Sequence, residues 1–556
     1  MRSLILVIAT AAVIAVVSSP SAQATIYDVC TSGCTYSSLV TALTAIDSDS
    51  TTADTITVSG TFVQAAAATW KIGVVMIGIS NATITPVTRT MRCAALTNCG
   101  RSVVIKDITF NDFWAKTNSA SVGNWGGCFR VRNSTAGNTC SARFEGCTFN
   151  NCDAGGVGGD ADTGRGGALY VDAFAGRVEL ELVDCVFTDC SATYETASDC
   201  GGGAVFLQND SELSVSGCTF GTAGHGNSVV GTVGGYNCAG GAIRCVTSVD
   251  ADISDCTFTG NSAQYGGAVA VTTDDPGGYE FEVEECAFTS NSATQQGGAL
   301  LYDCPTGFVG EWTIADCVFT GNSAVVYGGA IASGHSALTM DRCQFYTNTS
   351  ADAGAFGVGG GIVSGIMPSL ETYVNLCTFQ DNGASSEGGA VYVGGGSVSA
   401  ELYIDQSAFT DNDAAAGSGG TVFWEDPDIT YTFTLGIDQT IIAHSTGYGI
   451  ATNTASNSRL SYQFTCCDTI DLAPELLENT AGATSCADCI GDDPEWCTWT
   501  DDDTANDDFR LSGDSPCYAV PVCKFIGPYN WCDGDCGPNC WVPGGEADRR
   551  RPYIMR

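Results

Sequence analysis

The chain has 556 residues, with 69 glycines, 30 cysteines and 14 prolines, and its 62 acidic against 21 basic side chains give a net charge of −41. A surface of that sign repels nucleic acid and anionic lipid at long range, so no nucleic-acid partner is expected; it disfavours a polyanionic substrate without excluding one and favours cationic or divalent partners. Thirty cysteines argue for an oxidising compartment and a disulfide framework.

Residues 1–24 read as a secretory signal: Arg2, an apolar run from Leu4 to Val17, and the small-residue site Ala22-Gln23-Ala24. That run is shorter than the roughly 20 residues a membrane helix takes. No later stretch is long and apolar enough to span, so the processed chain is expected to lack an integral membrane segment. The expected location is secreted, extracellular or cell-surface.

Residues 25–105 form a predicted N-terminal cap with the first coils. Leu39, Leu43 and Ile46 at helical spacing predict a short capping helix over 37–46, and Asp54 to Thr61 predicts a β-branched strand. Cys30 with Cys34, and Cys93 with Cys99, are candidate local disulfides.

From 106 to 460 one unit recurs. Its landmark is a phenylalanine, at Phe110, Phe149, Phe187, Phe220, Phe258, Phe288, Phe319, Phe345, Phe379 and Phe409. Cys precedes most of them by two, Asn often follows by three, and a glycine pair such as Gly266-Gly267, Gly328-Gly329 or Gly360-Gly361 comes next. In Cys-x-Phe the first and third side chains share a face of an extended strand and point inward. Asn at a turn suits the left-handed region, and Gly-Gly permits a second corner. Segments such as Tyr279 to Glu284 alternate apolar with acidic residues and place carboxylates outside. A repeat of this kind buries its apolar face only against its neighbours. The fold class is therefore an all-β parallel β-helix, a solenoid of about 10–13 coils with caps at both ends.

Cysteines two before the Phe (Cys147, Cys185, Cys218, Cys256, Cys286, Cys317, Cys343, Cys377) stack in one column. They read as a ladder of buried thiols rather than disulfides, because parallel Cβ vectors suit bridging poorly. Cys152 with Cys190, and Cys200 with Cys238, sit at corners of adjacent coils and are expected to bridge. Sequons at Asn81, Asn133, Asn209 and Asn348 are glycosylation candidates.

The paired Phe-x-x-Asn and Gly-Gly-Ala-Ile/Val motifs, as at Phe258/Asn261 with Gly266 to Val269 and Phe319/Asn322 with Gly328 to Ile331, resemble the chlamydial polymorphic outer-membrane protein repeat. They resemble more broadly the right-handed, pectate-lyase-like β-helix superfamily. The resemblance implies a right-handed coil and departs from bacterial members in showing no C-terminal membrane-barrel pattern. Residues 461–545, with ten cysteines, resemble the closing segment of secreted β-helix proteins. They are read as a disulfide-pinned C-terminal cap containing the candidate pair Cys486 and Cys489, and 546–556 as a basic disordered tail.

No nucleophile elbow, phosphate loop or zinc motif is present, and the three histidines His225, His335 and His444 stand apart. Asp160-x-Asp162-x-Gly164 and Asp533-x-Asp535 fall short of a full calcium loop, so no cofactor is expected, with calcium the one cation weighed. Arg130 and Arg132 form an outward basic pair. The reading is a non-enzymatic protein that binds extracellular polysaccharide or a cell-surface protein, in adhesion. The alternatives are a pectate-lyase-like polysaccharide lyase or glycoside hydrolase and a structural matrix or coat protein. For the enzymes, no carboxylate pair is singled out by the sequence.

Overall fold

The computed structural model describes residues 26–470 apart from 31, 47–53, 71–73, 90, 98–101, 116–124, 156–163, 195–199, 232–237, 273–279, 304–309, 335, 359–369, 395–399, 415–418, 426–432, 444–447, 453–459 and 466–467, together with the strand pair Trp496–Thr498 and Asp508–Leu511. The expected signal segment, Cys99, Cys486, Cys489 and the basic tail lie outside the described residues.

One turn of the chain shows how the sequence makes a coil. Glu280–Glu284 alternates exposed acids with buried Phe281 and Val283. Glu285 then takes a left-handed backbone, φ 54°, and turns the chain into Ala287–Thr289. Ser290, φ 53°, turns it again into Ser292–Gln296. The Gly297-Gly298 corner follows, and Leu300–Asp303 closes the turn. Coils stack with every pairing parallel, giving one sheet of 26 strands that carries both the long and the Phe strands, one of 13 strands and one of nine. The 13-stranded sheet counts 13 coils. It runs from Ala68–Trp70 to Tyr448–Thr452.

The phenylalanines pair in register from Phe110 to Phe409 despite unequal spacing in sequence. From Phe149 onward the rings stack nearly flat, as at Phe258–Phe288, 4.7 Å and 5° apart. The unequal spacing between landmarks does not disturb the column. At the N-terminal end the helix Leu39–Ala45 buries Leu39 and Ala42 against the first coils, which gives the terminal core its cover.

Three expectations about corners and modification sites are corrected. The turn asparagine is not the left-handed residue: that backbone falls one position earlier, at Gly260, Ser290, Gly321, Thr347, Asp381 and Asp411. Asn itself points inward and is fully buried, and Asn227, Asn261, Asn291, Asn322, Asn348, Asn382 and Asn412 form a continuous ladder. Each Nδ2 from Asn227 to Asn382 donates to the next Oδ1 at 3.0 Å. In the coil of Phe345 the corner is made by Ala353 (φ 62°) and Gly354, not by Gly360-Gly361, which lie outside the described residues.

Glycosylation is the third. Asn348 spends its amide hydrogens on Phe319 O and Asn382 Oδ1, both at 3.0 Å. Asn133 spends its own on Asn138 O and Arg177 O, at 2.8 and 2.9 Å. Neither buried amide can carry a glycan in the folded chain. Asn81 is exposed, and Asn209 is half-buried with Nδ2 on Asp172 Oδ1 at 2.9 Å.

Cys30–Cys34 and Cys200–Cys238 are disulfides, with Cα separations of 5.6 and 4.7 Å. Cys152 and Cys190 are not bridged. They occupy the Asn-ladder position in their coils, and each thiol points at backbone carbonyls, Cys190 Sγ at Phe149 O and Thr188 O, both 3.5 Å. Cys93 is likewise a buried thiol, 3.3 Å from Gln64 Oε1, not a partner of Cys99. The eight-cysteine column is a ladder of buried thiols.

Candidate functional site

Outward side chains of the 13-stranded sheet are expected to be wet, yet one column is half-buried at Arg130 and fully buried at Tyr170, Phe206 and Arg244. The fourth residue after the first corner glycine is Arg130, Tyr170, Phe206 or Arg244 in successive coils, and these pair in register. A second column bridges alongside, through Trp125, Arg165, Gly201 and Ala239, and walls them in. Between the two columns lies a ledge of interleaved aromatic rings and guanidinium groups.

Trp125 packs on Tyr170 with ring centroids 5.0 Å apart, and Tyr170 stacks on Phe206 at 5.8 Å. Arg130 and Arg165 lie over the Trp125 ring at 5.5 and 5.4 Å. Arg165 also lies 5.2 Å from Phe206, with its Nη1 on Gln208 Oε1 at 2.8 Å. Arg244 is fully buried at the far end, hydrogen-bonded to the carbonyl of Cys200. A Cβ on Gly201 would stand 2.2 Å from its Cδ, so only glycine admits it there. The Cys200–Cys238 disulfide joins the wall at this point. At the open margin Arg132 Nε pairs with Asp172 Oδ2 at 3.3 Å and covers the exposed ring of Phe174 at 4.5 Å.

Like charges are crowded here. Burial, and then the neighbouring Arg130, lowers Arg92 to about 10. Burial, and then Arg132, lowers Arg130. Asp172, the carboxylate that faces the group, is engaged by Arg132 and Asn209. This concentration of guanidinium stands in a chain whose residues 178–458 contain two basic side chains, Arg244 and Arg342. A stacked, partly desolvated arginine cluster on aromatic rings is a site for planar anionic groups.

Further along the same two columns the character reverses. Asp352 and Glu387 are register partners, and the outward column there presents Tyr392, stacked on Phe423 at 6.0 Å and 9°. The Tyr392 hydroxyl donates to the Glu425 carboxylate. Burial, followed by the charges of Asp352 and Glu425, pushes Glu387 up to about 7. Burial also raises Asp352, against a hydrogen bond from Ser386. Such a carboxyl holds its proton near neutrality, as a general acid must. Among the described residues no group of three or more His, Cys, Asp or Glu side chains is placed to hold a metal ion.

The sequence-derived pair Arg130 and Arg132 does point outward, between buried Phe129 and Val131. Sequence reasoning missed Trp125, Arg165, Tyr170, Phe206 and Arg244, and it singled out none of Asp352, Glu387 and Glu425. One signal was available: a large side chain at the fourth position, which is Ala270 or Ala332 in other coils. Of the histidines, His225 lies with Nδ1 2.9 Å from Asp189 Oδ2 at an exposed corner, while His335 and His444 lie outside the described residues. So do Asp160, Asp162, Asp533 and Asp535.

Residues 241–434 match the family model described as a right-handed β-helix region. The chain is a right-handed parallel β-helix protein. The match starts just downstream of the corner at Cys238 and encloses the Glu387 cluster, whereas Trp125, Arg130, Arg165, Tyr170 and Phe206 of the ledge precede it. No curated protein matches the chain. Among the described residues no helix is long and apolar enough to cross a membrane.

Proposed function

We propose that this chain is an exported, cell-surface or extracellular β-helix protein that binds acidic polysaccharide without cleaving it. The observation that carries the reading is the Trp125–Arg165–Arg130–Tyr170 ledge. Its partly exposed members are Trp125, Arg130 and Arg165, set over the fully buried Tyr170 and Phe206; they offer an aromatic edge to a sugar ring and guanidinium donors to carboxylate or sulfate. The overall charge argues against a polyanion only at long range, because charge screens beyond about 8 Å at physiological salt. The signal-like segment at 1–24, the cysteine content and the repeats that resemble surface and pectate-lyase-like proteins support the compartment and the adhesive role.

A second reading, hydrolysis, is favoured by Glu387 with Asp352 and Glu425, because glycoside hydrolysis needs a protonated carboxyl beside an ionised one. Titration of the full chain with polygalacturonate, and with a neutral glucan as control, separates the two. The expected result is salt-sensitive binding of the acidic polymer alone, weakened at least about tenfold in Arg130→Ala/Arg165→Ala, as loss of two charge-assisted contacts of about 1.5–3 kcal/mol each allows. No reducing or unsaturated ends are expected to appear. Equal affinity for the neutral glucan would contradict the binding reading, and reducing ends that vanish in Glu387→Gln would replace it with the second.

A further inference from the structure

The acids that give the chain its charge are not spread evenly around the coil. The long strands carry Glu212, Asp250, Asp252, Glu280, Glu282, Glu284 and Glu311. The adjoining side of the same coils, made of the Phe strand and the nine-stranded sheet, carries no Asp, Glu, Lys or Arg in 219–231, 257–265, 287–296 or 318–327. Three of its outward columns are short and neutral. Thr219, Thr257, Ala287 and Val318 form one outward column. Thr259, Thr289 and Thr320 form a second, and Ser228, Ser262, Ser292 and Ser323 a third. All are at least partly exposed, and Val230 and Val325 at the margin are well exposed.

We propose that this neutral face binds ice. Three physical features converge on that ligand. Hydroxyl and methyl groups alternate without a charge that would orient water radially, and Thr, Val, Ala and Ser exchange within the columns while keeping the surface low. The array is periodic in two directions: coils repeat at 4.7 to 4.9 Å, as the Phe rings beneath show, and outward neighbours in one strand lie about 6.6 Å apart. The coil period is close to the shorter repeat of the prism face of hexagonal ice, and the strand period falls somewhat under the longer one. The array is also rigid, because the Phe stack and the Asn ladder run directly beneath it and β-branched side chains are stiff at χ1. Thr257 Oγ1 already donates to Thr219 Oγ1 at 3.3 Å across coils. A crystalline polysaccharide would instead call for aromatic rings, and these three columns have none.

The test is nanolitre osmometry and ice-crystal microscopy on the full chain. Thermal hysteresis and faceted crystals are expected from the unaltered protein. Thr259→Lys/Thr289→Lys, which raises two cations from the face, should abolish both. Thr289→Val should retain them, as should Glu282→Lys on the acidic side. Absence of hysteresis and of crystal shaping in the unaltered protein overturns the proposal without reference to any variant. So does a Thr259→Lys/Thr289→Lys protein that keeps full hysteresis.

Discussion

Replacing Asn322 with alanine is expected to destabilise the central coils by about 4 kcal/mol or more. Its Nδ2 donates to Phe288 O at 2.9 Å and to Asn348 Oδ1 at 3.0 Å. Its Oδ1 accepts from the backbone N–H and the Nδ2 of Asn291, both at 3.0 Å. Alanine would strand these groups in a site with no exposure, and each buried polar group without a partner costs about 1–3 kcal/mol. The loss should be local, because a solenoid coil touches chiefly its neighbours. Hydrogen exchange should therefore quicken over 286–350 and stay slow near Phe149. Urea unfolding that shifts by less than about 1 kcal/mol would mean that the ladder is not formed.

Gly298→Ala is the second, and its cost is steric. A Cβ there would meet Gly329 O at 2.0 Å and Ser323 O at 2.6 Å. Both are backbone atoms of the next coil, held by strand pairing, so neither can give without opening the stack. A loss above about 3 kcal/mol is expected, of the order seen for overpacked or strained buried sites. Gly321→Ala makes the contrast. Gly321 has φ 61°, but its Cβ would meet nothing closer than Ser290 Oγ at 3.7 Å. Only the left-handed backbone term remains, about 1–2 kcal/mol, and Ser290 and Thr347 already accept that conformation in neighbouring coils. Equal melting temperatures for the two variants would show that the coils are not packed through their glycines.

These contrasts mark what was legible in the sequence. Cys-x-Phe and Gly-Gly are local patterns with a single steric meaning, so the core columns and most corners could be read directly. Asn was legible as a turn marker but not as a ladder, since a buried amide chain exists only when several coils stack. The ledge was harder still. Trp125, Arg165 and Phe206 are about 40 residues apart, and unequal spacing between the repeat landmarks hides their shared register. Glu387 is raised by burial and then by Asp352 and Glu425 in the coils on either side, and alternation alone gives every outward acid the same standing. Cysteine pairing divided similarly. A four-residue separation closed Cys30 to Cys34, but the same coil-to-coil logic that brings Cys200 to Cys238 fails for Cys152 and Cys190, which sit where the Asn ladder points side chains at carbonyls.

Every site described rests on that register, and non-reducing peptide mapping of the full chain tests it most directly. Cys200 should be recovered linked to Cys238, Cys30 linked to Cys34, and Cys256, Cys286 and Cys317 as free thiols after alkylation in denaturant. Cys200 linked to any other half of the chain, or Cys256 linked to Cys317 across an intervening coil, would contradict the stacking that aligns the ledge.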